Sequence, residues 1–249
     1  MEKYVINGGR KAYGSVNTDR AKNSLLPIIA ATVAVGDKCF IEDFPHYTDT
    51  ETLLEIVAEM GGKYEKYNGG VSVDTANLKT GVFPEELFGK IRASVFMLGA
   101  VVARTGYAET TLPGGCNIGE RPIDAHVSAL GQMGVKTEIS GNKLFCRCKR
   151  LKGADITFPF ISVGATENLM IAAAVAEGDT VLRNAAREPE VSDLARFLNS
   201  CGAKISGAGT DEIVIKGVKK LHGTAYLPIP DRITAGTFLI LTVLLGGET

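Results

Sequence analysis

Three stretches of the chain carry apolar residues at helical spacing and end on the same signature. Leu53, Leu54, Val57 and Met60 share one helix face, as do Leu194, Phe197, Leu198 and Cys201. The stretches Thr50 to Met60, Asp124 to Met133 and Val191 to Cys201 close with Met60-Gly61-Gly62-Lys63, Met133-Gly134-Val135-Lys136 and Cys201-Gly202-Ala203-Lys204. The Gly after each is a natural helix C-cap. Two short β-like runs follow each time: Lys63 to Tyr67 with Val71 to Asp74, Lys136 to Ile139 with Lys143 to Arg147, and Lys204 to Ser206 with Glu212 to Lys216.

A second mark precedes each of these. Apolar, Ala-rich helices end at Gly36, Gly106 and Gly178, spaced 70 and 72 residues apart, and strand-like segments follow at Lys38 to Glu42, Tyr107 to Leu112 and Thr180 to Arg183. A single unit of helix, strand, loop, helix, strand, turn, strand is thus repeated three times. Helices against one face of mixed sheets predict an α/β fold built by triplication. Thr234 to Leu245 then reads as the first helix of a fourth unit, and Gly247-Glu248 matches Gly36-Asp37 and Gly178-Asp179. A helix with a wide apolar face needs a cover, so the chain reads as the front part of a longer protein. Lys3 to Val16 resembles a hairpin that would pair with this fourth unit, and Pro228 to Asp231 reads as a linker. The expected organisation is a complete three-repeat domain over 20–230, with 1–19 and 233–249 as the stub of a second domain.

Composition narrows the function classes. With 45% apolar and 22% charged residues, the 249-residue chain is an ordinary globular sequence and not a disordered one. Lys plus Arg is 27 and Asp plus Glu is 28, with no basic stripe, which argues against a nucleic-acid partner. An anionic ligand would have to be held by a few placed cations. The longest apolar candidate, Ile233 to Leu245, is too short for a membrane helix, and the N-terminus is too polar for a signal peptide. Five cysteines at 39, 116, 146, 148 and 201 form no Cys-x-x-Cys pair; the reading is cytoplasmic with reduced thiols, and Cys39 and Cys201 are expected in the core.

Four segments could carry chemistry. The loop from Leu112 to Pro122 surrounds Cys116 with Gly and Pro and places Arg121 five residues on, where it could favour the thiolate or hold an anion. Composition alone slightly favours an incidental cysteine in a surface loop. Lys22 and Asn23 open an apolar helix, and Ser162-Val163-Gly164-Ala165-Thr166 precedes another; a helix N-terminus with small or basic residues can bind phosphate, although Ser and Thr also serve as plain caps. Arg92 stands at the start of the helix expected over Ile91 to Ala103, Ala186 to Glu190 is a charged loop in which an internal ion pair is expected, and His126 reads as a polar helix residue. No Ser-His-Asp set, Walker loop, Rossmann fingerprint or metal cluster is present.

Together these segments resemble the UDP-N-acetylglucosamine 1-carboxyvinyltransferases, the enolpyruvyl transferases that start peptidoglycan synthesis. The resemblance rests on Ala21-Lys22-Asn23, Ile91-Arg92-Ala93-Ser94, Leu112 to Asp124 with its Gly-Gly-Cys loop, Ser162 to Thr166, Asn184 to Glu190, Gly202 to Asp211 and Pro230-Asp231-Arg232, in the family's order along the whole chain. It implies two inside-out α/β barrels, each of three βαβαββ-like repeats, with the active site between them; here one would be complete and the second a fragment. It implies transfer of the enolpyruvyl group of phosphoenolpyruvate to the 3′-hydroxyl of UDP-N-acetylglucosamine with release of phosphate, without a metal or other cofactor.

Carried over by residue, the resemblance makes Cys116 the general acid to C3 of phosphoenolpyruvate and the residue that fosfomycin alkylates. Lys22, Asn23 and Arg121 would hold phosphoenolpyruvate. Arg92, Arg121, Pro122, Ile123, Asp124 and Ala125, with Phe160, Ile161, Ser162, Val163 and Gly164, would line the nucleotide-sugar site. The family's carboxylate base and a further Arg would lie beyond Thr249, which makes the 249 residues alone weakly active or inactive. Two departures stand out: Asp19-Arg20 in place of a small Ser-Gly pair, which could alter the hinge or the phosphoenolpyruvate pocket, and Phe160 in place of a frequent Lys. A nucleotide-sugar-binding, non-catalytic paralogue is the alternative, and the sister transferase acting on shikimate 3-phosphate is a third reading. The exposed face of Thr234 to Leu245 points to dimerisation or disorder of that segment.

Overall fold

The computed structural model describes residues 3–5, 7–111 and 123–248, with Arg92 as backbone only. In chain order the elements are β1 (Ala12–Tyr13), α1 (Lys22–Val35), β2 (Lys38–Glu42), α2 (Thr48–Glu59), β3 (Lys63–Tyr67), β4 (Gly70–Asp74) and α3 (Glu85–Phe88). A 3₁₀ turn (Arg92–Phe96) leads into α4 (Met97–Thr105), β5 (Tyr107–Thr111), α5 (Asp124–Gln132), β6 (Lys136–Ser140), β7 (Lys143–Arg147) and β8 (Asp155–Thr157). The chain continues through α6 (Val163–Ala174), β9 (Asp179–Arg183), α7 (Pro189–Ser200), β10 (Lys204–Ser206), β11 (Glu212–Lys216), β12 (Ala225–Tyr226), α8 (Arg232–Leu245) and β13 (Gly247–Glu248).

The repeats are real and they close on themselves. In each unit the first and second strands both pair antiparallel with the third, giving β2-β4-β3, β5-β7-β6 and β9-β11-β10. The segment leaving each unit then adds a parallel edge to the next sheet. Val82 bridges to Glu109 in β5, β8 pairs with β9, and β12 returns to pair with β2. Three sheets are thereby stitched into a ring.

The helices fill that ring. α1, α4 and α6 touch one another at the centre. α1 and α6 are apolar on nearly every side, and α1 is buried from Ser24 to Val35, as a helix surrounded by protein requires. The strands follow the complementary rule of period two: Cys39 and Ile41, Thr180 and Leu182, and Ile213 and Ile215 point inward while their neighbours face solvent or its margin. Helices inside and sheets outside make this the expected inside-out α/β barrel.

Most predicted boundaries hold to within two residues. Gly36 and Gly106 end their helices in the left-handed region (φ 65° and 73°), and Gly61, Gly134 and Gly202 follow the outer helices with φ of 99°, 91° and 95°. Three expectations need correction. The helix read as ending at Gly178 stops at Ala174. The helix read from Ile91 begins as the 3₁₀ turn, and its α-helical part runs from Met97 to Thr105. Among the described residues of 3–16 only Ala12 and Tyr13 are strand, and they show no hairpin; they do pair with the fourth-unit fragment, in parallel with Gly247 and Glu248.

Helix α8 stands apart. Asp231 caps it, accepting from the N–H groups of Ile233 and Thr234 at 2.8 and 3.1 Å. None of its residues is buried, and Val243 and Leu244 are 83% and 76% exposed. No helix among the described residues is long and apolar enough to cross a membrane.

Candidate functional site

Six helices and the 3₁₀ turn bring their N-terminal ends to one cavity of about 800 Å³. α1 contributes Lys22, Asn23 and Leu26, α2 Asp49, and the 3₁₀ turn Ala93, Val95 and Phe96. α5 contributes Ala125 and His126, α7 Glu188 and Glu190, and α8 Arg232, while the entry to α6 supplies Phe160, Ser162, Val163, Gly164 and Glu167. Every helix start leaves backbone N–H groups without intrahelical partners and a partial positive charge. Their convergence suits a multiply anionic ligand.

The same dipoles explain the carboxylates. Glu188 is the N-cap of α7 and Glu190 lies in its first turn; Asp49 lies in the first turn of α2. Asp49 holds the Lys22 ammonium at 2.9 Å, and Glu190 holds Arg232. Both described cations of the cavity are therefore already paired, and an incoming anion would compete with or share these carboxylates. Glu188 and Glu167 each keep one carboxylate oxygen without a hydrogen-bond partner, and Glu167 is the deeper of the two. It is 1% exposed, with one carboxylate oxygen unpartnered, and burial, reinforced by the charges of Glu190 and Glu188, holds its pKa well above the usual carboxylate range.

Gly164 permits the tight approach of the 3₁₀ turn. A Cβ there would lie 2.9 Å from Phe96 Cε1. The Ser162 hydroxyl accepts from the Ala165 N–H at 3.3 Å, so it serves as the cap of α6 and takes up one of the first-turn N–H groups.

Lys22, Asn23, Ala125, Phe160, Ser162, Val163 and Gly164 are thus brought together. Ile161 is 56% exposed and, like Asp124 on the outer side of α5 and the half-buried Ile123, does not line the cavity. The Arg92 backbone starts the 3₁₀ turn whose Ala93, Val95 and Phe96 do line it. Cys116, Arg121 and Pro122 lie outside the described residues. Arg20 is held away from the cavity, bound to Asp43 at 2.8 Å and to the Pro228 carbonyl at 3.3 Å, so this departure bears on the linker. The internal ion pair expected within 186–190 is replaced by two longer-range ones, Arg187 with Asp211 and Glu190 with Arg232. His126, expected as a polar helix residue, is buried in the cavity wall and bonded to Asn168.

Sequence reasoning missed Asp49, Glu167 and Asn168, and it named Arg232 within the Pro230-Asp231-Arg232 match without giving it a role. The signal for two of them was present: Glu167-Asn168 interrupts an otherwise apolar, Ala-rich helix, where polar residues need a reason to be buried.

A ring of three sheets around buried helices, with helix N-termini gathered at one end, is the architecture of the enolpyruvyl transferases. The enolpyruvyl transferase NikO from Streptomyces tendae superposes with a TM-score of 0.83 at 26% identity, over 94% of this chain and 56% of that one. EPSP synthase from Acinetobacter baumannii superposes with a TM-score of 0.73 at 20% identity, over 94% and 53%, and shows the fold alone. The sequence model described as EPSP synthase (3-phosphoshikimate 1-carboxyvinyltransferase) matches residues 6–249, and the chain belongs to this family.

Within it, similar relatives carry a different substrate in their names. The UDP-N-acetylglucosamine 1-carboxyvinyltransferase 2 of Caldanaerobacter subterraneus subsp. tengcongensis is 46% identical over 100% of this chain and 60% of its own length. That of Clostridium tetani is 47% identical over 96% and 58%, and the UDP-N-acetylglucosamine 1-carboxyvinyltransferase of Nitratidesulfovibrio vulgaris (strain DP4) is 47% identical over 100% and 59%. The chain spans about 60% of the length of these relatives.

Proposed function

We propose that the protein transfers the enolpyruvyl group of phosphoenolpyruvate to the 3′-hydroxyl of UDP-N-acetylglucosamine. The observation that carries this reading is the 46–47% identity, along essentially the whole chain, to relatives named for that reaction. The cavity supports it, because both substrates are anions and helix N-termini face them. In this reading a carboxylate base takes the proton of the 3′-hydroxyl as its oxygen bonds to C2 of phosphoenolpyruvate, while Cys116 gives its proton to C3. The tetrahedral ketal then loses a C3 proton and inorganic phosphate, leaving the enolpyruvyl ether. Lys22, Asn23 and Arg121 hold phosphoenolpyruvate, and the fixed cations offset the charge at the ketal stage. Arg92, the 121–125 segment and the 160–164 segment hold the nucleotide sugar, with the first-turn N–H groups of α6 on its diphosphate.

The organisation proposed with it is a complete domain over 20–230, and a second domain to which 1–19 and 233–249 belong. The uncovered apolar face of α8 and the β1–β13 pair beside it support this division. The reaction belongs to peptidoglycan synthesis and places the protein in the cytoplasm.

Phosphate release from phosphoenolpyruvate tests the assignment, with UDP-N-acetylglucosamine and shikimate 3-phosphate as alternative acceptors. Release with the nucleotide sugar, together with fosfomycin mass added at Cys116, is expected. Release with shikimate 3-phosphate alone would overturn the assignment. Calorimetric binding of UDP-N-acetylglucosamine without turnover by the full-length protein would instead favour a non-catalytic paralogue.

A further inference from the structure

Lys22 stands where a cation is disfavoured. It is the first residue of α1, whose first turn holds no acidic residue, and a helix start repels a cation through its partial positive charge. The compensating charge comes from another helix. Asp49, in the first turn of α2, puts its Oδ2 2.9 Å from the Lys22 Nζ. Glu51, the other acidic residue of that turn, is engaged by Lys66 and His46 instead. The hydroxyl of Tyr47, the N-cap of α2, donates to the Arg20 carbonyl at 3.2 Å and so ties the two helix starts together.

Burial does not require this ion pair. The two side chains are 43% and 36% exposed, so either charge can remain in water alone, and a pair this open adds little to stability. Its effect falls on the cavity, which both residues line. With the carboxylate in place the ammonium still offers N–H donors, but the pair carries no net charge. An ammonium has three N–H groups, so an anion can join Asp49 on the same nitrogen without displacing it. Two acceptors on one tetrahedral nitrogen are about 5 Å apart, close enough for two negative charges in a partly exposed site to repel appreciably. Whether an anion shares Lys22 or displaces Asp49 from it, the carboxylate opposes its binding.

We propose that Asp49 acts through Lys22 to set the affinity of the cavity for oxyanions: it cancels the net charge of the ammonium and keeps the site weak for a free phosphate. The inference rests on the proposed function in one respect, that the oxyanion is the phosphate of phosphoenolpyruvate and, after reaction, the inorganic phosphate released from it. A lysine without this counter-ion would retain the product phosphate, and Asp49 limits that retention. A carboxylate that only oriented Lys22 would act with the opposite sign, since its loss would weaken anion binding.

The test titrates the full protein with inorganic phosphate, followed by ³¹P line broadening. Asp49→Asn, which keeps the shape and removes the charge, is expected to bind phosphate about tenfold more tightly than wild type. A damaged fold cannot produce that gain. Asp49→Glu, which keeps the charge, is expected to stay near wild type, and adding Lys22→Gln to Asp49→Asn is expected to abolish the gain. Weaker or unchanged phosphate binding in Asp49→Asn would overturn the proposal, as would a gain that survives Lys22→Gln.

Turnover gives the second readout. With phosphoenolpyruvate and UDP-N-acetylglucosamine, Asp49→Asn is expected to lower KM for phosphoenolpyruvate, leave kcat no higher and strengthen inhibition by phosphate about tenfold. A raised KM would show that Asp49 only orients Lys22 and would overturn the proposal. A wild type that releases no phosphate from these substrates would instead overturn the reaction assignment, while the phosphate titration still decides the role of Asp49.

Discussion

Arg232 sets its guanidinium fork on Glu190, Nε to Oε1 at 2.9 Å and a terminal nitrogen to Oε2 at 3.1 Å, joining the first turns of α8 and α7 across the cavity. The carboxylate side chain is 3% exposed and the guanidinium 50%. Removing Arg232 would leave Glu190 charged and unpaired in a region that already holds Glu167 and Glu188. Arg232→Ala is therefore expected to destabilise by about 3 kcal/mol, the low end for a buried pair that loses one partner. Glu190→Gln in the same background should recover a large part of that loss. Urea denaturation of the two single variants and the double variant measures this coupling. Strict additivity would show that the pair carries no shared energy.

Glu167 gives a pH dependence with a definite sign. Burial first, and then the charges of Glu190 and Glu188, hold its carboxyl protonated well above the usual range. The unfolded chain releases that proton near the ordinary value of about 4.3. Folding therefore takes up a proton. The contribution of this group is greatest below the unfolded pKa, and it declines as the pH rises from there toward the folded pKa. Glu167→Gln mimics the protonated form and should match wild type near pH 4.5 and exceed it in stability at pH 8. A difference between the two that stays constant across this range would show that Glu167 is ionised in the folded protein.

How much of this was legible in the sequence depends on the range of the interaction. The outer helices, their Gly caps and the strand pairs such as Lys63 to Tyr67 were readable because the apolar period and the turn are local signals. The closure of the sheets was not, since β12 returns to β2 across nearly the whole three-repeat body. The left-handed Asp43 and Asn184, at corresponding places after β2 and β9, escaped notice because neither is a glycine. Lys22 and the Ser162-Val163-Gly164 entry to α6 stood out as possible anion sites by their position at helix starts. Asp49, Asn168 and Arg232 did not, because each acquires its meaning from a partner at least 27 residues away.

The cysteines separate by burial. Cys39, Cys146 and Cys201 are fully buried, and Cys148 is half-buried at the end of β7. Burial pushes the Cys146 thiol up to about 11, and a hydrogen bond with Cys39, added to burial, raises that of Cys201 further. Cys146 and Cys201 hold almost no thiolate at neutral pH, and Cys39, whose thiol the Cys201 contact shifts downward, is kept from reagents by its complete burial. In the native protein a disulfide reagent is expected to leave all three unmodified, and 3 further thiols should react when guanidinium unfolds the chain. Native labelling of Cys39 or Cys201, read by peptide mass, would show that the contact between β2 and the end of α7 opens.

Asp193 ties the start of the first repeat to the end of the third. Its carboxylate, 1% exposed, accepts from the Ser24 hydroxyl on α1, the Tyr226 hydroxyl at 2.6 Å, the Ile229 N–H at 3.2 Å and Arg196 at 3.1 Å. Tyr226 lies in β12, the strand that closes the ring onto β2, and its ring packs edge-on against Phe197 at 5.4 Å. Asp193→Ala would strip the buried Ser24 hydroxyl and the half-buried Tyr226 hydroxyl and Ile229 N–H of their acceptor at once. At about 1–3 kcal/mol for each group left unsatisfied, less whatever water recovers, the expected loss is about 4 kcal/mol. Tyr226→Phe removes only one donor and keeps the ring contact, so its cost should be about 1 kcal/mol. Because the two side chains share a bond, the double variant should lose less than the two single losses together. A loss below about 1 kcal/mol in Asp193→Ala would mean that pairing of β12 with β2 holds the ring closed without this carboxylate.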